Sequence, residues 1–519
     1  MKQVVIYDST LRDGAQAQGI SYTVEDKLKI VDRLDRLGVS YIEAGNPGSN
    51  PKDLEFFERA KRMDYKSAKL IAFGSTRRVG IKVEEDVNVI SLLNAGTKAV
   101  AIFGKSWDFQ VTDILRTTLD ENLNMIYDTV KFFSDRGIEV VYDAEHYFDG
   151  YAKNPDYAVK TLKAAADAGA SSLCLCDTKG GFLPLDIYKI TEEMVKLFSI
   201  PIGIHCHNDN GMAVAGSVVA VQAGAMQVQG TINGFGERCG NANLCTIIPT
   251  LQLMMGYSCI PEASMAELTA IARAFSEIAN VEFNDRSPFV GKNAFAHKAG
   301  MHADAVHKNT TAYELVNPEV VGNERTFLMS EVAGRSAVIN LINKVEPSIT
   351  RDSPETRQIL AKLKEMEYEG YQYEGAEGSF ELIVRKILGK YHPFFELGEF
   401  KVIVNEPTSN VVNSAAMIKI NVDNQEEITA AEGDGPVNAL DNAVRKALVR
   451  FYPCINEIKL TDFKVRVLDS YSATAAKVRV LIESTDGEEY WSTIGVSTDI
   501  IEASWKALVD SIEYKLSKG

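Results

Sequence analysis

The chain runs to 519 residues, 45% of them hydrophobic and 24% charged, with a formal net charge of −16. That length calls for two to four domains of ordinary globular composition, and the acidic balance works against a nucleic-acid or anionic-membrane partner, since either needs a basic face. No apolar run reaches the ~18 residues of a membrane helix, and Met1–Ile6 lacks the apolar core and cleavage site of a secretory signal.

The expected location is therefore the cytoplasm. The seven cysteines are scattered, with Cys174 and Cys176 spaced C-x-C and no second pair to complete a zinc site, so they read as buried reduced thiols. Over the first ~255 residues, short β-rich runs alternate with amphipathic segments. The strand candidates are Val4–Tyr7, Tyr41–Glu43, Lys69–Phe73, Ala99–Phe103, Glu139–Tyr142, Ser172–Cys176, Ile202–His207 and Gln227–Thr231. Helical patterns lie between them, as at Val24–Leu37, Leu123–Asp135 and Pro155–Ala168, and several close on a glycine (Gly38, Gly137, Gly169) where a left-handed cap is favoured. Eight strand–helix pairs in that length predict a closed (β/α)₈ TIM barrel over residues 1–260, with an open doubly wound sheet as the rival.

Residues 261–394 turn mainly helical, and the Glu/Tyr/Gly stretch from Glu365 to Gly378 reads as a linker. After about residue 395 two strands followed by a helix occur twice: Lys401–Val404 and Ala415–Val422 before Pro436–Arg450, then Lys464–Val467 and Ala476–Ile482 before Thr498–Leu516. This predicts a duplicated α+β module over 395–519. The glycine-bearing segments Glu432–Pro436 and Ile494–Ser497 lead toward its two helices and could expose backbone N–H groups to a carboxylate ligand.

Polar residues of the barrel half gather after the strands, at the end where barrel enzymes place their sites. His205 and His207 stand at i and i+2, so an extended backbone points both imidazoles to one side. Two such histidines and a carboxylate suit a divalent metal with open positions, and Asp13, expected on the first strand, can supply the carboxylate. Asn241 can add an oxygen ligand. Arg12, beside Asp13, suits a substrate carboxylate or a developing oxyanion, the alternative being an ion pair with Glu43. Glu145 and Thr178 stand where a substrate can reach them; the bland alternatives are a surface role and a helix cap. His302, in a run of small residues beside Asp304, is a candidate general acid/base or a structural hydrogen-bonding group.

Ser9–Gly14, His205-x-His207 and Gly236–Ala242, taken in order, resemble the family that contains 2-isopropylmalate, homocitrate and citramalate synthases. The likeness spans the chain, including Ala294–Asp304 and the duplicated module, and segments such as Gly45–Asp53 and Val321–Arg325 look closest to the citramalate-forming branch. The resemblance implies a divalent ion (Mn, Zn or Mg) on Asp13, His205 and His207 with Asn241 nearby. It implies that Arg12 and Thr178 contact a 2-oxo acid, and that Glu145, His302 and Tyr313 serve catalysis. It further implies acetyl-CoA and pyruvate as substrates, isoleucine as feedback inhibitor and a homodimer. Where many relatives carry Ser-x-Glu-Asp after the fifth strand, this chain has Asp143–His146. Two other readings fit part of the pattern. A 3-hydroxyacyl-CoA lyase would use the same metal site but usually stops soon after the barrel. An amino-acid sensor with a relic barrel would have no reason to keep Arg12, Asp13, His205 and His207.

Overall fold

The computed structural model describes residues 2–48, 51–297, 305–306, 308–327, 339, 342–343, 345–350, 353–373, 375–404, 414–468, 475–487 and 489–518. They form two compact units, one of residues 1–295 with 315–325 and one of residues 296–314 with 326–519.

In the first unit β1 (Val5–Asp8), β2 (Tyr41–Glu43), β3 (Lys69–Ser75), β4 (Ala99–Lys105), β5 (Glu139–Glu145), β6 (Ser172–Asp177), β7 (Ile202–Cys206) and β8 (Gln227–Gly230) close into a parallel barrel in chain order. The register Val5↔Gln227 to Asp8↔Gly230 joins the first strand to the last. The helix Val24–Leu37 starts on a capping box between Thr23 and Asp26 and stops at Gly38, whose φ of 90° gives the left-handed cap. Gly137 and Gly169 do the same, at φ 70° and 94°.

Strand periodicity sorts the side chains. Ile6, Ile42, Leu70, Ala72, Val100, Ile102 and Val140 join the large cluster that the helices cover. Tyr7, Ile71, Ala99, Ala101 and Val141 pack together inside the barrel, against Tyr41 and Phe73. One pleat repeat further along the same inner face come Glu43, Phe103, Asp143, Cys176, His205 and Gln229, and the apolar plug gives way to polar groups.

The second unit holds the short parallel pair β9 (Ala296–His297) and β10 (Thr326–Phe327), then two antiparallel sheets. The first is β11 (Glu396–Val404), β12 (Ser414–Val422) and β13 (Gln425–Gly433), followed by the helix Pro436–Leu448; the second is β14 (Lys459–Val467), β15 (Val478–Thr485) and β16 (Tyr490–Ser497), followed by the helix Ile500–Lys518. The duplication is real, but each copy has a third strand that the sequence pattern hides. In β13 both faces mix Glu with small or apolar residues, so the apolar alternation of a strand is lost. The Glu365–Gly378 stretch is a connection only over residues 370–376: its two ends belong to the helices Pro354–Glu369 and Glu377–Ile387, which bury Ile359 and Leu363, and Phe380 and Val384.

The expectation of an anion-receiving turn fails at the second helix, whereas at the first Gly435 is an N-cap without a side-chain cap. Gly433 and Gly495 end or sit inside β13 and β16, and a Cβ on Gly495 would lie 2.0 Å from the Ala503 carbonyl, so the glycine permits close strand–helix packing. At the second helix start, the N–H groups of Ile501 and Glu502 already donate to Asp499 Oδ1. No helix among the described residues is long and apolar enough to cross a membrane. All seven cysteines are free; five are buried, Cys454 is half-buried, and Cys239 departs from the expected pattern by being exposed.

Candidate active site

The inner face of the barrel delivers its polar residues to one chamber of about 220 Å³, lined by Arg12, Asp13, Asp143, Glu145, Cys176, Thr178, His205, His207, Glu237 and Arg238, with Phe73 and Phe103 as an aromatic wall. The two rings stack at 5.1 Å and 16°.

Asp13 reaches the chamber from a turn beyond β1, not from the strand itself. The N–H groups of Arg12 and Gly14 both donate to the Ser9 carbonyl, and the Asp13 N–H donates to Ser9 Oγ at 3.3 Å. That fold-back returns the carboxylate to the barrel axis. Its Oδ2 then lies 3.8 Å from His205 Nε2 and 3.7 Å from His207 Nε2. His205 is the penultimate residue of β7, and His207 follows the strand in an isolated bridge to Asn241. Asn241 Nδ2 donates to Asp13 Oδ1 at 2.7 Å. A side chain on Gly236 would meet that same Nδ2 at 2.1 Å, which gives a steric reason for the glycine in Gly236–Ala242.

Asp13, His205 and His207 have the donor set and spacing for a divalent ion, with one ligand atom from each lying within 4.8 Å of the others. The fit extends beyond the triad. Asn241 Oδ1 is buried without a hydrogen-bond partner among the described residues, and a buried unpaired acceptor is a cost that a ligand relieves. His205 Nδ1 lies 3.0 Å from Gln229 Oε1. A proton on Nδ1 makes that contact a hydrogen bond and leaves Nε2 bare toward Asp13. Gln229 in turn donates Nε2–H to Asp143 Oδ1 at 2.8 Å.

Electrostatics favour the ligand forms. Burial lowers both imidazoles, His207 to about 4 with His205 adding to the effect. Burial alone would raise Asp13, but Arg12 and the two histidines hold it well below the carboxylate range. Asp143 is pushed up to about 7 by burial and by Glu43.

Arg12 does pair with Glu43, through Nε at 2.6 Å, and also with Asp13 through Nη1 at 2.7 Å. Its guanidinium carbon lies 3.9 Å from the Phe73 ring centre. Glu43 is fully buried and receives the Tyr7 hydroxyl at 2.8 Å and the Ser9 hydroxyl as well. The ion pair therefore holds the guanidinium at the chamber wall, where Nη2 makes no hydrogen bond among the described residues. Glu145 faces the chamber and pairs with Lys105 Nζ at 2.5 Å, so it is not a surface residue.

Thr178 caps no helix of its own. Its Oγ1 accepts the His146 N–H at 2.8 Å, and this leaves the hydroxyl proton to donate. His146 and Arg238 both hold φ 57°, a left-handed strain of about 1 kcal/mol or more each. Arg238 is fixed by two bonds to Asp209 and one to the Thr178 carbonyl.

The first unit thus gathers Arg12, Asp13, Glu145, Thr178, His205, His207 and Asn241. Tyr313 belongs to the second unit, half-exposed after the turn Thr310–Ala312. His302 lies outside the described residues. Sequence reasoning missed the supporting roles of Gln229, Asp143 and Lys105. The usable signal was polar residues recurring every second position on inward-facing strands.

Residues 3–275 match the HMGL-like family model, 289–370 the homocitrate synthase post-HMGL domain-like model, and 374–516 the LeuA allosteric (dimerisation) domain. An (R)-citramalate synthase of Aquifex aeolicus is 51% identical over 519 residues, covering 100% of this chain and 98% of that protein. The Geobacter sulfurreducens (R)-citramalate synthase is 49% identical with the same coverage. A 2-isopropylmalate synthase of Methanocaldococcus jannaschii is 30% identical, covering 99% and 95%.

Proposed function

This chain belongs to the (R)-citramalate synthases of the HMGL-like family, and from that premise we propose that it joins the methyl carbon of acetyl-CoA to C2 of pyruvate. Hydrolysis of the thioester then gives citramalate and CoA. The observation that carries the reading is the convergence of Asp13, His205 and His207 beside Arg12 in a chamber small enough for a short 2-oxo acid.

Asp13, His205 and His207, with Asn241 Oδ1 adjacent, would hold a divalent ion, which when bound polarises the acceptor carbonyl as a Lewis acid. Thr178 offers its hydroxyl proton to the acceptor carboxylate. Arg12, braced by Glu43, presents Nη2 to the oxyanion that develops as the new C–C bond forms. The acetyl methyl is a weak carbon acid, and its proton must pass to a base as the bond forms. We assign that base to His302, assisted by Glu145 or Tyr313. Water completes the reaction by cleaving the thioester, releasing CoA as the thiol and leaving a new carboxylate.

The domain division we favour is a catalytic barrel over 1–260, helical segments over 261–394 and a regulatory, dimer-forming module over 395–519. The LeuA allosteric (dimerisation) match supports the last. It also disfavours a lyase that stops soon after its barrel. The regulatory ligand we propose is isoleucine, the amino acid downstream of citramalate. By linkage it would favour a state of weaker substrate affinity or slower turnover.

The deciding experiment is thiol release from acetyl-CoA with a panel of 2-oxo acids, with and without isoleucine, leucine and valine. Pyruvate should give the highest kcat/KM and isoleucine should inhibit. A higher kcat/KM with 2-oxoisovalerate would move the assignment to 2-isopropylmalate synthesis. Saturating isoleucine that neither binds nor slows the enzyme would remove the regulatory assignment.

A further inference from the structure

We propose that Asp143, Cys174 and Cys176 form a second cation site on the floor of the chamber. It is separate from Asp13, His205 and His207 and takes a thiophilic divalent ion of the Zn²⁺ and Cd²⁺ class. The inference does not depend on which 2-oxo acid the enzyme condenses.

Among the described residues these three make the other cluster whose ligand atoms all lie within 4.8 Å of one another, and all three are buried. Strand geometry brings them together. Cys174 and Cys176 stand at i and i+2 on β6 and share its inner face, and Asp143 on β5 is the register partner of Cys174. The carboxylate thus stands in for the second cysteine pair that the sequence lacks. Asp143 and Cys176 line the metal chamber, while Cys174 is fully buried, so an ion enters through the chamber and settles at its floor. On the other side Cys174 is paired with Gly203 of β7. A Cβ on Gly203 would lie 2.8 Å from Gln227 Oε1 and 3.5 Å from the Cys174 Cα. That Oε1 is buried with no hydrogen-bond partner among the described residues. The space left by the glycine therefore places an unpaired oxygen beside Cys174, a fourth donor for a tetrahedral ion.

The donors decide the kind of ion. Two sulfurs select a thiophilic cation over a hard one such as Mg²⁺, whereas Asp13, His205 and His207 offer no sulfur. As each S–metal bond forms, the S–H bond breaks and its proton passes to solvent, so two protons leave for each ion bound. Two thiolates and a carboxylate then exceed the charge of the ion by one, and the Arg12 guanidinium on the same chamber wall faces that excess. Gln229 stands between the two ligand sets, joined to His205 Nδ1 on one side and Asp143 Oδ1 on the other. The second carboxylate oxygen of Asp143 is left for the ion.

The test uses the full-length enzyme carrying Cys239→Ser and Cys454→Ser, which removes the exposed and the half-buried thiol. The probe is Cd²⁺, whose bonds to thiolate absorb in the ultraviolet by charge transfer. With Mg²⁺ saturating, one Cd²⁺ per chain should bring up a band with the intensity of two Cd–S bonds. Cys174→Ala and Cys176→Ala should each cut that band to half or less and weaken Cd²⁺ by about tenfold or more, since losing a ligand outright costs at least what losing its outer partner does. His207→Ala, which takes a ligand from the other site, should leave the band at full height. The proposal is overturned if the parent enzyme shows no band at one equivalent, a result that needs no further variant to fold. It is also overturned if the band survives both cysteine variants unchanged, or if it disappears in His207→Ala, which would put the ion on the Asp13, His205 and His207 set.

Discussion

Replacing Gln229 by Leu separates the metal ligands from what orients them. The side chain is fully buried and bridges His205 Nδ1 at 3.0 Å to Asp143 Oδ1 at 2.8 Å. Leucine fills similar space but offers no acceptor, so His205 is no longer held with Nδ1 protonated and Nε2 bare, and Asp143 loses its amide donor. Loss of such an outer partner typically costs 10–100-fold in metal affinity, or about 1.4–2.8 kcal/mol. The assay strips the enzyme with a chelator and titrates the divalent ion back while following thiol release. The activation constant should move up by that factor, with activity at saturating ion largely recovered because all three ligands remain. Gln227→Leu is the control: it is buried two residues earlier on the same strand, and its Oε1 has no partner among the described residues, so it should leave the activation constant unchanged. An unshifted constant in Gln229→Leu, or an equal shift in both variants, would refute the reasoning.

His207→Ala removes a ligand outright, and both bound metal and turnover should collapse; full activity in the presence of a strong chelator would contradict a metal role. Asp8 is fully buried and its folded pKa is raised by burial to about 7, above its unfolded value near 4. Its contribution to stability is therefore complete below pH ~4 and is lost as pH rises through ~7, a change on the order of 4 kcal/mol. Denaturant unfolding should show Asp8→Asn gaining on the wild type between pH 5 and pH 8, and a constant difference across that range would argue against the shift. Gly495→Ala places a methyl 2.0 Å from the Ala503 carbonyl. It should destabilise the second unit by about 1–3 kcal/mol, seen as a lower melting transition with unchanged metal affinity.

The barrel was legible because its strands are short apolar runs at regular spacing, each closed by a turn or cap signal such as Gly38. His205 and His207 were legible for a local reason, since i and i+2 on a strand share a side whatever the tertiary fold. Asp13 was read as a ligand but placed on the strand, because nothing in Ser9–Gly14 announces the fold-back onto the Ser9 carbonyl. Gln229 and Asp143 were not read as partners: their contact spans 86 residues and depends on barrel register. The hidden strands show the opposite failure. β13 alternates its burial as a strand should, but the exposed face mixes Glu426, Ile428, Ala430 and Glu432 and the inner one Glu427, Thr429 and Ala431, so no apolar alternation marks it as a strand. The likeness to known synthases supplied a role for Tyr313 that no spacing argument could.

Asp13 and Asn241 are hydrogen-bonded although 228 residues separate them, and the strands that carry their turns are the pair that closes the barrel. The cation site is thus assembled from the two ends of one domain. A partly folded barrel with its last strand undocked has the two histidines but no carboxylate facing them. An ion that needs all three cannot help the early strands find one another. It binds only the finished ring and acts as a latch, so its stabilisation should appear as slower opening and not as faster folding. Forcing the seam between first and last strands apart, with a bulky residue at Gly236, would release metal and barrel closure together.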